Sequence, residues 1–180
     1  INATEMATTN MPFLGASYYV VSANNETITL LDSADTTILG EGETVTVDGR
    51  SISIEFIDTD EVKLNVDGEV TDSMDEGETD ELDDGSYLSV IDLTVQDYAE
   101  GVKKVEFSIG DGQIILNDGD EVIVGEDSDD DIDELYVYIG DSGSDLIDSI
   151  TLQWKSDDET FLGEGDVIMM PGLGVLGLEY

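Results

Sequence analysis

The chain has 180 residues, of which 45 are Asp or Glu and 5 are Lys or Arg, giving a formal net charge of -40, and it has no His and no Cys. So few cations exclude nucleic-acid binding, which needs positive side chains to replace phosphate counterions, and the missing residue types exclude disulfides, thiolate metal sites, cysteine nucleophiles and imidazole bases. A compact chain of this charge repels itself across about 30 Å in dilute salt but only about 3 Å in about 1 M salt, so high salt, divalent cations or both are expected around it.

The composition is 39% hydrophobic, which is enough for a core and argues against a disordered acidic tail. Residues 1–12 read as an N-terminal extension. The chain opens on Ile1 and not Met, as expected of a processed or partial chain. Asn2-Ala3-Thr4 and Asn25-Glu26-Thr27 are sequons, making Asn2 and Asn25 glycosylation candidates and favouring export. Strand patterns follow at 13–21, 27–31, 43–47, 51–57 and 62–66. The run Ser51-Ile52-Ser53-Ile54-Glu55-Phe56 alternates polar and apolar, so one face is expected inside and one outside. Asp48-Gly49, Asp67-Gly68 and Asp84-Gly85 are turn signals of the hairpin kind.

Further strands are expected at 87–95, 102–109, 113–116, 121–124, 135–139 and 147–154, with one helical turn at 96–100. Leu135-Tyr136-Val137-Tyr138-Ile139 is apolar enough for both faces to be half-buried. Many short strands with Gly-rich turns predict an all-β fold, a Greek-key-like β-sandwich or two intimately packed β modules. Leu39-Gly40-Glu41-Gly42-Glu43 is echoed by Leu162-Gly163-Glu164-Gly165-Asp166, each after an Ile-Thr-Leu run. Convergent turn chemistry would explain that echo; two related modules, 13–97 and 98–180, are the favoured explanation.

Several motifs fail on chemistry. Gly140-Asp141-Ser142-Gly143 resembles a serine-protease loop, but there is no histidine to take the serine proton. An aspartic protease needs two Asp-Thr/Ser-Gly loops, and 58–60 lacks the glycine. The Gly172, Gly174, Gly177 pattern needs a following helix to receive a pyrophosphate, and only three residues follow. The apolar stretch 167–178 is shorter than the ~20 residues of a membrane span, so it reads as a packing segment or a strand offered to another subunit. No carboxylate pair stands out for glycoside hydrolysis, and aromatics are 7% with the single Trp154.

Two acidic runs, 72–84 and 126–134, contain the candidate oxygen ligands Asp72, Asp75, Asp127, Asp129, Asp131 and Asp133. Ca2+ or Mg2+ would suit them. Asp127, Asp129 and Asp131 match the start of an EF-hand loop, but Ile132 stands in place of Gly and Tyr138 in place of Glu. A solvated surface adapted to salt is the favoured reading and a divalent cation the alternative; no other cofactor is expected. Arg50, Lys63, Lys103, Lys104 and Lys155 lie on or beside predicted strands, where pairing with acids is expected.

Leu39-Gly40-Glu41-Gly42-Glu43-Thr44-Val45-Thr46-Val47-Asp48-Gly49, Val62-Lys63-Leu64-Asn65-Val66-Asp67-Gly68-Glu69 and Val102-Lys103-Lys104-Val105-Glu106-Phe107-Ser108-Ile109-Gly110 resemble stretches of archaeal surface-layer proteins, as do 150–161 and Met170-Pro171-Gly172. The resemblance covers most of the chain after residue 12 and consists of strand and turn patterns. It implies tandem β domains in an extracellular structural lattice, N-glycosylation and divalent dependence. The resulting expectation is a non-enzymatic, exported protein that self-assembles at a cell surface, with itself and cell-envelope glycans as partners and without spanning the membrane. The segments 1–14 and 167–180 are the expected contacts, through Ile1, Phe13, Leu14, Val167, Met169, Leu173, Val175, Leu176 and Tyr180. A filament whose subunits donate a terminal strand is the alternative. A carbohydrate-binding β domain and a calcium-binding adhesin module are weaker ones.

Overall fold

The computed structural model describes the whole chain except residues 8, 15, 33–35, 97–100, 126–130, 144–145, 157–158, 160, 171, 173–176 and 180. It is nearly all β, built of antiparallel sheets in a sandwich-like arrangement. The chain forms two compact units, Ile1–Leu30 with Ile114–Tyr180, and Leu31–Gln113. These units are nested, not consecutive.

The first unit begins with a one-turn helix, α1 (Ala3–Met6), then β1 (Asn10–Phe13), β2 (Ala16–Ala23) and β3 (Thr27–Asp32). Residues 1–12 are therefore not a free extension. Ala3 and Met6 are buried in the unit's core, and β1 pairs with β2 from Asn10 opposite Tyr19 to Phe13 opposite Ala16. The strand expected at 13–21 is split by a turn at Leu14, whose φ is +48°. Asn24 closes the β2–β3 turn, its side-chain oxygen accepting from the N–H groups of Glu26 and Thr27 at 2.8 and 2.7 Å.

The second unit carries β4 (Thr36–Gly40), β5 (Thr44–Val47), β6 (Arg50–Ile57), β7 (Val62–Val66), β8 (Glu69–Val70), β9 (Thr79–Glu81), β10 (Tyr87–Val95) and β11 (Lys103–Gly110). They make two four-stranded sheets, β4-β11-β10-β9 and β5-β6-β7-β8. Asp48 and Gly49 have φ of +51° and +86°, and Asp67 and Gly68 have +52° and +103°. Each pair joins a tight two-residue hairpin, Val47 opposite Arg50 and Val66 opposite Glu69, as expected where both turn residues need positive φ. The two sheets share one core. Leu39, Leu88, Val90, Val105 and Phe107 come from one, and Ile52, Ile57, Val62, Leu64 and Val66 from the other.

A bulge in β6 corrects one expected face. The register shifts between Ile54 and Phe56, so Phe56 turns outward at 43% exposure while Ile57 takes the inner place at 3%. The boundary expected near residue 97 falls inside this unit, because β10 and β11 pair antiparallel across it from Tyr87–Gly110 to Val95–Lys103. Residues 97–100, most of the expected helical turn, lie outside the described residues.

The chain returns to the first unit through β12 (Gln113–Asn117), β13 (Glu121–Val124), β14 (Asp131–Asp141) and β15 (Ile147–Trp154), then β16 (Val167–Met169) and β17 (Gly177–Glu179). One seven-stranded sheet runs β1-β2-β3-β12-β13-β14-β15, and β16 and β17 form a separate two-stranded ribbon. In β14, Leu135, Val137 and Ile139 are buried, whereas Tyr138 is 43% exposed. That strand therefore buries one face, not both.

Candidate functional site: acidic turns, a carboxylate triad and open strand edges

Part of the acidic surplus builds turns. In Gly40-Glu41-Gly42-Glu43, the Gly40 N–H donates to the Glu43 carboxylate at 3.1 Å and the Glu43 N–H donates to the Gly40 carbonyl at 3.0 Å. Gly163-Glu164-Gly165-Asp166 repeats both bonds at 2.7 and 3.0 Å. Asp75-Glu76-Gly77-Glu78 makes them again at 2.9 and 3.2 Å. The third residue is a glycine at φ of +79°, +88° and +84° respectively, a conformation costly for any residue with a Cβ. Shared turn chemistry thus accounts for the sequence echo. The third copy escaped the sequence comparison because Asp75 stands where the others have glycine.

The first acidic run, 72–84, is occupied in the same way. Asp80 accepts from the Asp72 N–H, Glu76 from the Leu93 N–H and Glu69 from the Asp83 N–H. Burial pushes the Asp80 carboxyl up, with the Asp72 N–H opposing and the Asp72 charge adding to the rise. Asp72 and Asp75 are exposed, and among the described residues neither belongs to a group of three ligand atoms close enough to share an ion.

Asp84 is held down to a pKa of about 2, first by the Ser86 hydroxyl and then by Arg50, whose guanidinium lies 2.7 Å away. A carboxylate depressed in the folded state stabilises above its unfolded pKa of about 3.9 and loses that contribution as pH falls toward its folded value. Asp84→Asn is expected to lower the melting temperature at pH 6, and the difference from wild type should shrink steadily between pH 4 and about 2. A difference that stayed constant over that window would contradict this role.

The second acidic run gives a different result. Asp127 and Asp129 lie outside the described residues. Asp131 and Asp133 meet Glu121 of β13, the three offering carboxylate oxygens within 4.8 Å of one another. A bulge assembles them. Glu121 lies opposite Tyr136 but Ile123 lies opposite Asp131, so β14 carries extra residues there, and Glu134 takes φ of +69°. One Glu121 oxygen already accepts the Glu134 N–H at 2.8 Å. Offering one oxygen each, the three carboxylates would fill at most half of the 6–8 positions of a Ca2+ shell, leaving the rest to water or to second carboxylate oxygens. Glu121 was not a sequence candidate, because only cross-strand register brings it to the run. A cleft of about 270 Å³ beside it is lined by Asn117, Asp120, Glu121, Ile123, Asp131 and Tyr136.

Of the five cations expected to pair with acids, Arg50 and Lys103 do so among the described residues. Besides Arg50 with Asp84, Lys103 lies 3.6 Å from Glu41 and donates to the Ile57 carbonyl at 3.1 Å. Lys155 sits over the Tyr136 ring, 5.8 Å from its centre. Exposed pairs of this kind contribute about 0–1 kcal/mol each.

The expected assembly residues divide into three groups. Phe13 and Leu14 pack against the first unit's core, Phe13 edge-on to Tyr18 with ring centres 6.1 Å apart. Leu173, Val175, Leu176 and Tyr180 lie outside the described residues. Ile1, Val167 and Met169 are exposed, as is Leu178, which lies opposite Ile168 and so on the other face of the ribbon from Val167 and Met169. Ile1 is nonetheless tied down: its backbone exchanges two 2.9 Å hydrogen bonds with Ile147. Met170 is buried and anchors the ribbon in the core. Asn2 caps α1, accepting from the N–H and hydroxyl of Thr4 at 3.0 and 2.9 Å. Asn25 sits half-buried in the β2–β3 turn, where Thr27 donates to Asn117 at 2.9 Å. No helix among the described residues is long and apolar enough to cross a membrane.

No protein-family model, curated protein or solved structure matches this chain.

Proposed function

We propose that this chain is an extracellular, non-enzymatic structural protein that self-assembles on an archaeal cell surface in high salt. The observation that carries this reading is the β16–β17 ribbon. Val167 and Met169, 55% and 51% exposed on one face, and Leu178, 61% exposed on the other, lie on a two-stranded sheet with no third strand among the described residues. In a molecule with a net charge of -40, such apolar surface is where copies meet at least electrostatic cost. The strand and turn resemblance to surface-layer proteins supports the same reading, and glycans on Asn2 and Asn25 would fit an envelope setting. A donor-strand filament remains the second form of assembly. The burial of Ala3 and Met6 in their own core weighs against residues 1–10 as the donated segment.

The test is the double variant Met169→Asp/Leu178→Asp. Both side chains are largely solvated, so stability should change by no more than about 0.5 kcal/mol each. Sedimentation in about 1 M salt, where charges are felt over only about 3 Å, should show large assemblies for wild type and a loss of them for the variant. Unchanged assembly would remove the ribbon from the interface.

A further inference from the structure

The geometry points to a second contact, in which β15 pairs with β15 of another copy, antiparallel and centred on Thr151. This deepens the self-assembly reading and rests on it. β15 is the last strand of the seven-stranded sheet, with β14 on one side. At its start the other side is taken, because Ile1 bonds to Ile147 and Asn2 bridges Leu146 in antiparallel sense. Along 148–154 no partner strand lies on that side among the described residues. An open edge of this kind offers a row of backbone donors and acceptors that only another extended chain satisfies well.

Charge selects the partner. One residue in four of this protein is acidic, yet 149–154 reads Ser-Ile-Thr-Leu-Gln-Trp with no charge at all. Other edges of these sheets are shorter or protected: β1 carries Pro12, β8 has two residues and includes Glu69, β9 is Thr79-Asp80-Glu81, and the uncharged edges β4 and β5 have five and four residues against eight in β15. Short length, proline and charge are the usual defences of an edge strand, and β15, at eight residues, has none of them over its last six.

The residue order also suits self-pairing. Ser149, Thr151 and Gln153 are exposed, whereas Ile150, Leu152 and Trp154 are half-buried against the core. Antiparallel pairing about Thr151 sets Ile150 opposite Leu152, Ser149 opposite Gln153 and Thr151 opposite itself. Apolar meets apolar on one face and polar meets polar on the other, the arrangement cross-strand pairs favour. The same register sets Asp148 opposite Trp154, at the limits of the pairing, so no charged residue falls within 149–153.

The absence of native cysteine makes the test direct. Thr151→Cys, Ser149→Cys, Gln153→Cys and a control, Thr59→Cys, all replace exposed side chains. In about 1 M salt at micromolar protein, a short bis-maleimide should link Thr151→Cys into dimers about 1000-fold faster than the control, the ratio of a millimolar local thiol concentration to that in solution. Ser149→Cys and Gln153→Cys should link slowly alone and rapidly when mixed. Linking of Thr151→Cys no faster than the control overturns the β15 contact. If wild type still sediments as assemblies in that case, self-assembly stands through another surface; if wild type stays monomeric, both readings fall.

Discussion

Raising NaCl from about 0.1 M to about 1 M should raise the melting temperature of this protein by roughly 10–20 °C. Two like charges about 10 Å apart in water repel by about 0.4 kcal/mol. With a net charge of -40, a few dozen such pairs sum to roughly 10 kcal/mol, part of which the unfolded chain also carries. Relief of about half of it corresponds to that shift at roughly 2–4 °C per kcal/mol for a chain of this size. CaCl2 at matched ionic strength should give the same rise if the acids form a solvated surface. That equality follows from the first acidic run, where Asp80, Glu78 and Glu76 are spent on the Asp72, Asp75 and Leu93 backbone N–H groups and the exposed Asp72 and Asp75 join no cluster of ligand atoms among the described residues. A markedly larger rise with CaCl2 would instead mark Glu121, Asp131 and Asp133 as a cation site, and their joint replacement by Asn and Gln would then abolish the excess.

Phe107→Ala should destabilise the second unit by about 3–5 kcal/mol. Phe107 is fully buried in β11, where it lies opposite Val90 and Thr37, and it is among the largest fully buried side chains of the molecule. Truncation removes its burial and leaves a cavity in the core that the two four-stranded sheets share. Denaturant titration followed by circular dichroism measures the loss. Ile38→Ala, at 62% exposure in the neighbouring strand, is the control and should stay within about 0.5 kcal/mol. Equal losses for the two variants would mean that the core of this unit is not where the buried residues place it.

Much of this architecture is legible in the residue order, for local reasons. Strands at 62–66, 87–95, 121–124 and 147–154 follow from alternation bounded by turns, and Asp48-Gly49 and Asp67-Gly68 demand the hairpins they form. What escapes is non-local. The placement of β12 beside β3, which makes one unit an insertion in the other, leaves no periodic signal. A bulge reverses Phe56, and one extra residue is enough to do that in a period of two. Residues 1–12 look like an extension because a four-residue helix is too short for a pattern, yet Ala3 and Met6 lie in the core. The acidic runs look alike in sequence and differ in structure. One spends Glu76, Glu78 and Asp80 on backbone N–H groups, while Asp131 and Asp133 of the other gather with Glu121, a residue ten positions away from Asp131 along the chain and adjacent only through strand register.

In the proposed assembly, apolar and uncharged edges of an acidic β protein join copies once salt suppresses their repulsion. Electron microscopy of the purified protein, in dilute salt and after transfer to about 1 M salt, tests it most directly. Dispersed particles in the first condition and sheets or filaments in the second are the predicted result. Single particles in both, at concentrations high enough for sedimentation, would contradict it.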